Sequence, residues 1–221
     1  MNKADDTAAY ASLGERLAPL GAVAVAVISQ VLMRDRIVVG PLLLAPITEV
    51  GLGVLLILGD GVLRAHRHRM EYVRYALALV LTGSATASSA LLIHDVVHDK
   101  QVSVQQLFTE GVQILVVLAV GFALLFWQLD RGGPNGRVQP DAERMSFWFT
   151  QDAIREYSDQ FDTWQPRFLD YLYVGITNLL AFSPTDTMPL SRTAKMLMVW
   201  ESAVSFATLA VVLARAVNAL T

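Results

Sequence analysis

Long apolar runs separated by short polar segments dominate the hydrophobicity pattern of the chain. A helix that spans a bilayer needs about 20 mostly apolar residues, and five runs reach or approach that length: 17–33, 37–58, 75–93, 111–129 and 194–213. Lipid offers the backbone no hydrogen-bonding partner, so each run is predicted to be a transmembrane α-helix. A sixth run, 168–180, is too short to span and suits a re-entrant half-helix. The predicted fold class is all-α: a polytopic membrane protein with about five transmembrane helices plus one re-entrant half-helix and loop.

Composition supports this class and excludes others. Hydrophobic residues make up 54% and charged residues 17% of the chain, against roughly 25% charged residues in soluble domains, which indicates a multi-pass protein of the cell membrane in contact with lipid. Residues 1–16 contain three acids and no apolar core, so they predict a short lead rather than a cleavable signal peptide. The formal net charge of −3 gives no case for nucleic acid. The absence of cysteine excludes thiolate metal sites, and without a nucleophile or phosphate-binding motif we predict neither an enzyme nor a cofactor.

The polar segments between the runs differ in character. Residues 63–74, "LRAHRHRMEYVR", predict a basic loop, and residues 94–106 predict a polar connection. Residues 130–141 are rich in Gly and Pro, which makes continuation of a helix unfavourable. Residues 142–167 are amphipathic and aromatic, as is typical of the membrane–water boundary. We expect this last segment to pack on the ends of the helices.

A motif in the C-terminal part of the chain resembles a known family. The stretch "YLYVGITNLLAFSPTDTMPLSRTAKMLMVWESAVSFATLAVVLARAVN" is similar, without a gap, to the pore helix, filter and inner helix of potassium channels. Thr177 falls on the pore-helix threonine, Asp186 on the aspartate after the filter and Pro189 on the following proline. Lys195 falls on the basic residue that precedes the inner helix, and Glu201 falls near the inner-helix glutamate. The resemblance covers about a quarter of the chain.

The resemblance implies a domain organisation and an assembly. It implies a homotetramer, since one loop cannot encircle an ion, and it makes a small inorganic ion the expected ligand. The N-terminal half carries no motif of the family, although helices before the filter are compatible with six-helix-like channels. The implied order is an N-terminal lead 1–16, three transmembrane helices within 17–106, and a pore domain 107–221 made of outer helix 107–129, linker 130–167, pore helix 168–180, loop 181–189 and inner helix 190–220.

The loop departs from the family at the filter itself. Where potassium channels have Thr-Val-Gly-Tyr-Gly, this chain has Ala181, Phe182, Ser183, Pro184 and Thr185. Potassium filters aim successive carbonyl groups at the ion, and their glycines adopt backbone angles that residues with a Cβ resist. The proline also fixes φ and removes an N–H group. A stack of potassium sites with the usual backbone is therefore not expected.

Three interpretations of the loop stay open. Hydroxyl groups of Ser183, Thr185 and Thr187, framed by Asp186, would line a pore of different or weak selectivity, with Thr177 and Asn178 holding the loop from the pore helix. The loop would otherwise be a plugged, non-conducting vestige. Alternatively, Ser-Pro-Thr-Asp is an ordinary turn, in which Asp186 caps the last helix or holds the turn.

These interpretations lead to different functions. The first hypothesis is a channel-like protein that passes a small ion through an axial tetrameric pore. The second is a non-conducting membrane interaction or structural protein that retains the shape of a pore domain. The third is a small transporter that uses Glu49 as its coupling group.

Two acidic residues lie within apolar runs, where ionisable groups are costly and are functional candidates. Glu49 lies in "PITEVGLG" and predicts either an ion or proton site or a carboxylate that hydrogen-bonds to a neighbouring helix. Glu201 would lie behind the filter or near the pore mouth by resemblance, or would form an interfacial ion pair with Arg192 or Lys195.

Two further patterns have structural and functional interpretations. Residues 82–89, "TGSATASS", are small and hydroxyl-rich, which favours close helix contact, with a polar conduit as the alternative. His94 and His98 have the spacing of two metal ligands on one helix face. No third ligand is apparent, so we predict a solvated helix end and no metal.

The charge pattern and the resemblance predict opposite membrane orientations. The basic loop 63–74 favours the cytoplasmic side by charge bias, and five spans would put residues 130–190 on the same side. The resemblance to potassium channels implies that residues 130–190 lie outside.

Overall fold

The computed structural model describes residues 3–32, 47–54, 67–98, 103–133, 145–154, 157, 161, 164–181 and 186–218, with side chains except at 3–16, 67–70 and 181. The described chain is helical apart from one small sheet. Its elements are α1 (Lys3–Val31), α2 (the helical residues 47–54), α3 (Arg67–Val97), α4 (Val104–Leu129), a 3₁₀ turn (Asp130–Gly132), β1 (Phe147–Phe149), α5 (Thr150–Ile154), α6 (Phe168–Ala181), β2 (Thr187–Pro189) and α7 (Arg192–Asn218).

Three of the described helices are long and apolar enough to cross a membrane: Glu71–Val97, Val104–Gly132 and Arg192–Asn218. They match three of the five predicted spans and confirm an all-α protein with membrane-spanning character. The first predicted span corresponds to Leu17–Val31, a shorter apolar stretch that forms the second half of α1. Of the run 37–58, the described residues 47–54 are helical. Five spans therefore stay a prediction.

Several predicted connections are shorter than the sequence pattern suggested. α3 begins at Arg67, so the prediction of a loop through residue 74 is wrong. α3 continues to Val97, and α4 begins at Val104 with Ser103 as its cap, which accepts a hydrogen bond from the Gln106 N–H. Polar side chains extend these helices beyond the apolar runs because nothing in the sequence there breaks a helix.

α4 is the central helix and contacts α1, α3, α6 and α7. It runs antiparallel to α3, because the Tyr75 hydroxyl donates to the Gln128 carbonyl at 2.9 Å while Gly121 lies against Thr82. A Cβ at Gly121 would stand 2.8 Å from the Thr82 Cγ2 atom. The missing side chain therefore permits this crossing, as small residues do between helices in lipid.

α7 also runs antiparallel to α4 and therefore parallel to α3. Gly111, early in α4, lies against Val212, late in α7. α3 and α7 are joined by a 2.6 Å hydrogen bond between the hydroxyl groups of Ser89 and Thr208. The start of α3, the end of α4 and the start of α7 thus share one end of the bundle, which we call the Asp130 end. Residues 71–74 of the basic segment therefore lie at the same end of the bundle as Asp130 and the start of α7.

The aromatic segment after α4 covers the Asp130 end. β1 pairs antiparallel with β2, with Phe147 opposite Pro189 and Phe149 opposite Thr187. Phe147 and Phe149 are buried. Their rings make edge contacts with Phe126, Tyr171 and Trp164. The expectation that this segment packs on the helix ends is confirmed for Phe147, Phe149 and Trp164, whereas Tyr157 is 85% exposed. The two-stranded sheet was not predicted.

Candidate functional site

α6, the predicted pore helix, begins at the Asp130 end. Its first turn is capped by Asp170, whose carboxylate accepts a hydrogen bond from the Arg167 N–H at 2.6 Å. Phe168 packs edge-on against Trp127 of α4. Tyr171 is completely buried, and its hydroxyl donates to the Asp130 carboxylate at 2.5 Å. These contacts fix where α6 enters the bundle.

Asp130 organises this end of the molecule. Its Oδ1 accepts hydrogen bonds from the backbone N–H groups of Ser146, at 2.6 Å, and Phe147, at 3.1 Å. Its Oδ2 accepts from Tyr171 and lies 3.3 Å from the Arg131 Nε atom. One buried carboxylate therefore joins the end of α4, the start of β1 and the first turn of α6. The sequence reading missed Asp130, although an acid directly after a long apolar run is a detectable signal.

The other end of α6 is attached to α7 through Asn178. The side-chain amide of Asn178 donates to the Met198 carbonyl at 3.0 Å and to the Glu201 Oε2 atom at 2.8 Å. Ser202 donates to the Asn178 Oδ1 atom at 3.3 Å. Asn178 and Glu201 are 2% and 0% exposed. These contacts attach α6 to α7. The predicted role of Asn178, holding the loop from the pore helix, stays a prediction.

The predicted support residue Thr177 behaves differently. Its hydroxyl donates to the Tyr173 and Val174 carbonyls of its own helix. Among the described residues, the Thr177 hydroxyl therefore forms no hydrogen bond to another element. Of the two predicted support residues, only Asn178 links α6 to α7.

Glu201 lies where α4, α6 and α7 meet. A Cβ at Gly175 would stand 3.4 Å from the Glu201 Oε1 atom and 3.3 Å from the Ala119 carbonyl oxygen, so glycine leaves room for this junction. Among the described residues, Oε1 has no hydrogen-bond partner. The alternative that Glu201 pairs with Arg192 or Lys195 is wrong, because both bases are exposed whereas Glu201 is buried against Asn178.

The junction lies well inside the bundle. Glu201 follows the start of α7 by nine residues, which corresponds to roughly 13 Å along a helix. After α6 the chain returns to β2, which pairs with β1 at the Asp130 end. α6 therefore begins at the Asp130 end and reaches the level of Glu201 inside the bundle. The next described element, β2, lies again at the Asp130 end.

α7 has a polar inner face and an apolar outer face. Glu201, Ser205 and Thr208 are 0% exposed, and the Ser205 hydroxyl donates to the Leu179 carbonyl of α6 at 3.0 Å. On the outer face, Val199 and Leu213 are 59% and 62% exposed. An interior more polar than the surface is the arrangement expected of a helix that faces lipid or another copy of the chain.

The predicted filter residues fall mostly outside the described part of the chain. Phe182, Ser183, Pro184 and Thr185 lie outside the described residues, and Ala181 is described only as the last backbone position of α6. Their predicted role in lining a pore therefore stays a prediction.

Asp186, the last of the predicted filter residues, is exposed, and its backbone carbonyl accepts a hydrogen bond from the Thr150 hydroxyl at 2.9 Å. The predicted capping of α7 by Asp186 is wrong. The Ser191 hydroxyl accepts from the Ala194 N–H at 3.1 Å and is the cap.

An open groove of about 740 Å³ lies beside this junction, where β2 and the first half of α7 meet the end of α6. Asn178 and Ser202 provide polar atoms in its wall, and Lys195 lies at its β2 end. Met198 and Phe206 supply apolar surface. The groove adjoins the position from which the predicted filter loop leaves α6.

Glu49 lies in a second polar cluster, away from the junction. It is 0% exposed, and its Oε1 accepts hydrogen bonds from Gln30 of α1, at 2.9 Å, and Ser84 of α3, at 3.3 Å. This confirms the interpretation of a carboxylate bonded to neighbouring helices. The segment 82–89 makes the predicted helix contacts, through Thr82 to α4 and Ser89 to α7.

The two histidines form no metal site in the described part of the chain. Their rings stack with centroids 4.0 Å apart, and the His98 Nδ1 atom lies 2.8 Å from the His94 carbonyl. Both are exposed at the end of α3. Among the described residues, no group of three potential ligands is positioned to hold a metal ion.

Comparison of the chain with protein-family models, with curated proteins and with solved structures finds no match.

Proposed function

We propose that this chain is one subunit of a homotetrameric, potassium-channel-like membrane protein that passes a small inorganic ion along its symmetry axis. α4 serves as the outer helix, α6 as the pore helix and α7 as the inner helix. The residues after Ala181 form the narrow point, with hydroxyl groups of Ser183 and Thr185 facing the ion. The proposal applies to either membrane orientation, because the pore path is the same in both.

The observation that carries this proposal is the attachment of Asn178 to α7. A short apolar helix that ends inside a bundle leaves a polar loop at membrane depth, where irregular backbone is tolerated only against protein or water. The bonds from Asn178 to Met198 and Glu201 hold the start of that loop at a constant depth. At the other side of the loop, β2 is held by β1, and the Asp186 carbonyl just before β2 accepts a hydrogen bond from Thr150. A loop anchored on both sides is what an ion-selective constriction requires.

The outer face of α7 and the adjoining groove supply a surface for neighbouring copies. The groove is lined largely by apolar side chains, of which Met188 and Val199 are 61% and 59% exposed. Four copies placed around an axis would bring the groove of each subunit toward the next subunit. Closed cyclic symmetry of this kind is the usual form of a homo-oligomer.

A non-conducting assembly is the second candidate, because a specific observation favours it. Glu201, Ser205 and Thr208 of α7 are buried within their own chain, whereas Val199, Phe206 and Leu213 are 59%, 61% and 62% exposed. Apolar walls of this kind would make any axial path along α7 prone to dewetting. In this second case the chain would form the same tetramer without carrying ions.

Ion flux from liposomes that contain the purified protein tests the proposal. We expect Ser183→Trp and Thr185→Trp to abolish the flux, since an indole at the narrow point blocks the path. The matched control is Thr109→Trp, an exposed threonine on α4 near the end opposite to Asp130. This control should leave the flux unchanged.

Three outcomes would count against the channel. Flux that persists in both loop variants would remove these hydroxyl groups from the ion path. A tetrameric mass with no flux in the unmodified protein would favour the non-conducting assembly, and a monomeric mass would exclude the axial pore altogether.

A further inference from the structure

Three helices each contribute one polar side chain to a buried cluster. These side chains are Gln30 of α1, Glu49 of α2 and Ser84 of α3. The Gln30 side-chain amide donates to the Glu49 Oε1 atom at 2.9 Å and to the Ser84 Oγ atom at 3.1 Å. Glu49 is 0% exposed and Gln30 is 7% exposed. Ser84 lies near the middle of the candidate span Glu71–Val97. The cluster is therefore at membrane depth.

No opposite charge faces this carboxyl group from the described helices around it. Residues 17–31 of α1 and 76–93 of α3 contain no titratable side chain, and neither does the rest of α2. A bare carboxylate at membrane depth is costly unless it is paired or hydrogen-bonded. Unless hydrogen bonds stabilise its negative charge, Glu49 must therefore carry a proton or bind a cation.

The Ser84 hydroxyl can satisfy both protonation states of Glu49. Its single hydrogen has two acceptors within reach, the Glu49 Oε1 atom at 3.3 Å and the Leu81 carbonyl at 3.0 Å. When the carboxyl group is charged, the hydroxyl can turn to Oε1 and give the anion a second donor beside Gln30. When the group is neutral, the hydroxyl can turn to the Leu81 carbonyl. Neither state leaves this hydroxyl without an acceptor.

The geometry suits a proton better than a metal cation. Oε1 already accepts two hydrogen bonds, whereas Oε2 is buried without a hydrogen-bond partner among the described residues. Hard cations such as Ca²⁺ and Mg²⁺ take six or more oxygen ligands. The cluster offers at most four side-chain oxygens, two from Glu49 and one each from Gln30 and Ser84. A proton needs only Oε2.

We propose that the cluster of Gln30, Glu49 and Ser84 is a reversible proton-binding site, with the proton on the Glu49 Oε2 atom. The site lies in the N-terminal half of the chain and is independent of the proposed pore. It binds and releases a proton while the three helices keep their contacts, because the hydroxyl of Ser84 changes acceptor as the charge changes.

A hydrophobic carbodiimide tests this proposal on the full-length protein in lipid vesicles. The reagent adds only to a protonated carboxyl group, and rearrangement gives a stable acylurea that mass spectrometry locates on the modified peptide. We expect Glu49 to be labelled at acid pH and labelling to decline as the pH rises. Glu49→Gln should lose this label, because an amide does not react.

Two serine variants of α3 separate the proposed mechanism from a general effect of packing. Ser84→Ala removes the second donor to the charged form, so the midpoint of the labelling curve should rise by roughly half a pH unit. Ser88→Ala is the matched control, since Ser88 is buried on the same helix and has no bond to Glu49. Its midpoint should equal that of the unmodified protein.

Three results would overturn the proposal. Glu49 that is never labelled would mean that it carries no exchangeable proton, and labelling that does not change with pH would mean that the proton is permanent. Labelling that Na⁺ or K⁺ suppresses at constant pH would identify a metal cation as the ligand instead. None of these results bears on ion flux through the loop, so the two proposals fail separately.

Discussion

Replacing Asn178 by leucine removes the attachment of α6 to α7 while keeping a side chain of similar size. The variant loses the bonds to the Met198 carbonyl and to Glu201, and the bond that Ser202 donates. Hydrogen bonds between membrane helices contribute about 0.6 kcal/mol each, so their loss costs about 2 kcal/mol. The Glu201 carboxyl group would then be buried with no hydrogen-bond donor among the described residues. This adds about 1–3 kcal/mol to the loss of stability. We expect Asn178→Leu to lower the free energy of unfolding by about 3–5 kcal/mol.

A double-mutant cycle isolates the part of this loss that belongs to the pair. In Asn178→Leu/Glu201→Leu the unpaired carboxyl group is gone, and an apolar pair of similar volume replaces a buried polar pair at little cost. The double variant should therefore be more stable than the sum of the single effects predicts, by about 1–3 kcal/mol. Thr177→Val is the matched control on the same helix, because its hydroxyl bonds only within α6. It should cost less than 1 kcal/mol, roughly one weak bond.

Unfolding by sodium dodecyl sulfate in mixed micelles, followed by circular dichroism, measures these free energies. The reasoning would be refuted if Asn178→Leu were as stable as Thr177→Val. It would also be refuted if the two single effects simply added in the double variant, because the Asn178–Glu201 bond would then contribute nothing of its own.

Two further predictions concern helix packing and the sheet. Gly121→Ala should lower the free energy of unfolding by about 1–3 kcal/mol, because its Cβ would stand 2.8 Å from a side-chain carbon of α3. Gly83→Ala should be neutral or stabilising, since nothing lies within 4 Å of its Cβ, and equal effects of the two changes would contradict the α3–α4 crossing. In this cysteine-free chain, Trp148→Cys/Met188→Cys should form a disulfide on mild oxidation, because the two residues are directly opposed in the sheet at the Cα separation that a disulfide needs. Trp148→Cys/Leu190→Cys should not form one, and efficient crosslinking of that pair on a denaturing gel would show a different register.

The helices were the predictable part of this fold. Runs of about 20 apolar residues identify spans because lipid satisfies no backbone group, and three of the predicted spans are long apolar helices in the structure. The short helix at 168–180 was also predicted within one residue of its observed end at Ala181. Helix ends were predicted less well, because polar residues extend α3 and α4 beyond their apolar runs.

The partners of the polar side chains were not predictable in the same way. Glu201 and Glu49 stood out as acids within apolar runs. For Glu201, however, the sequence suggested an ion pair with Arg192 or Lys195. Its observed partner, Asn178, is 23 positions away and depends on how α6 docks on α7. The bond from Gln30 to Glu49 likewise joins two helices whose contact no local pattern specifies.

The sequence by itself determined that the chain is helical and suited to a membrane, and it located two of the buried acids, Glu49 and Glu201. This follows from length and polarity along the chain, which act locally on each helix. Only the tertiary structure decided that Asp130 gathers the end of α4, β1 and α6, that β1 pairs with β2, and that the polar face of α7 points inward. These features depend on which faces meet when the helices pack, and that choice arises from contacts between residues distant in sequence.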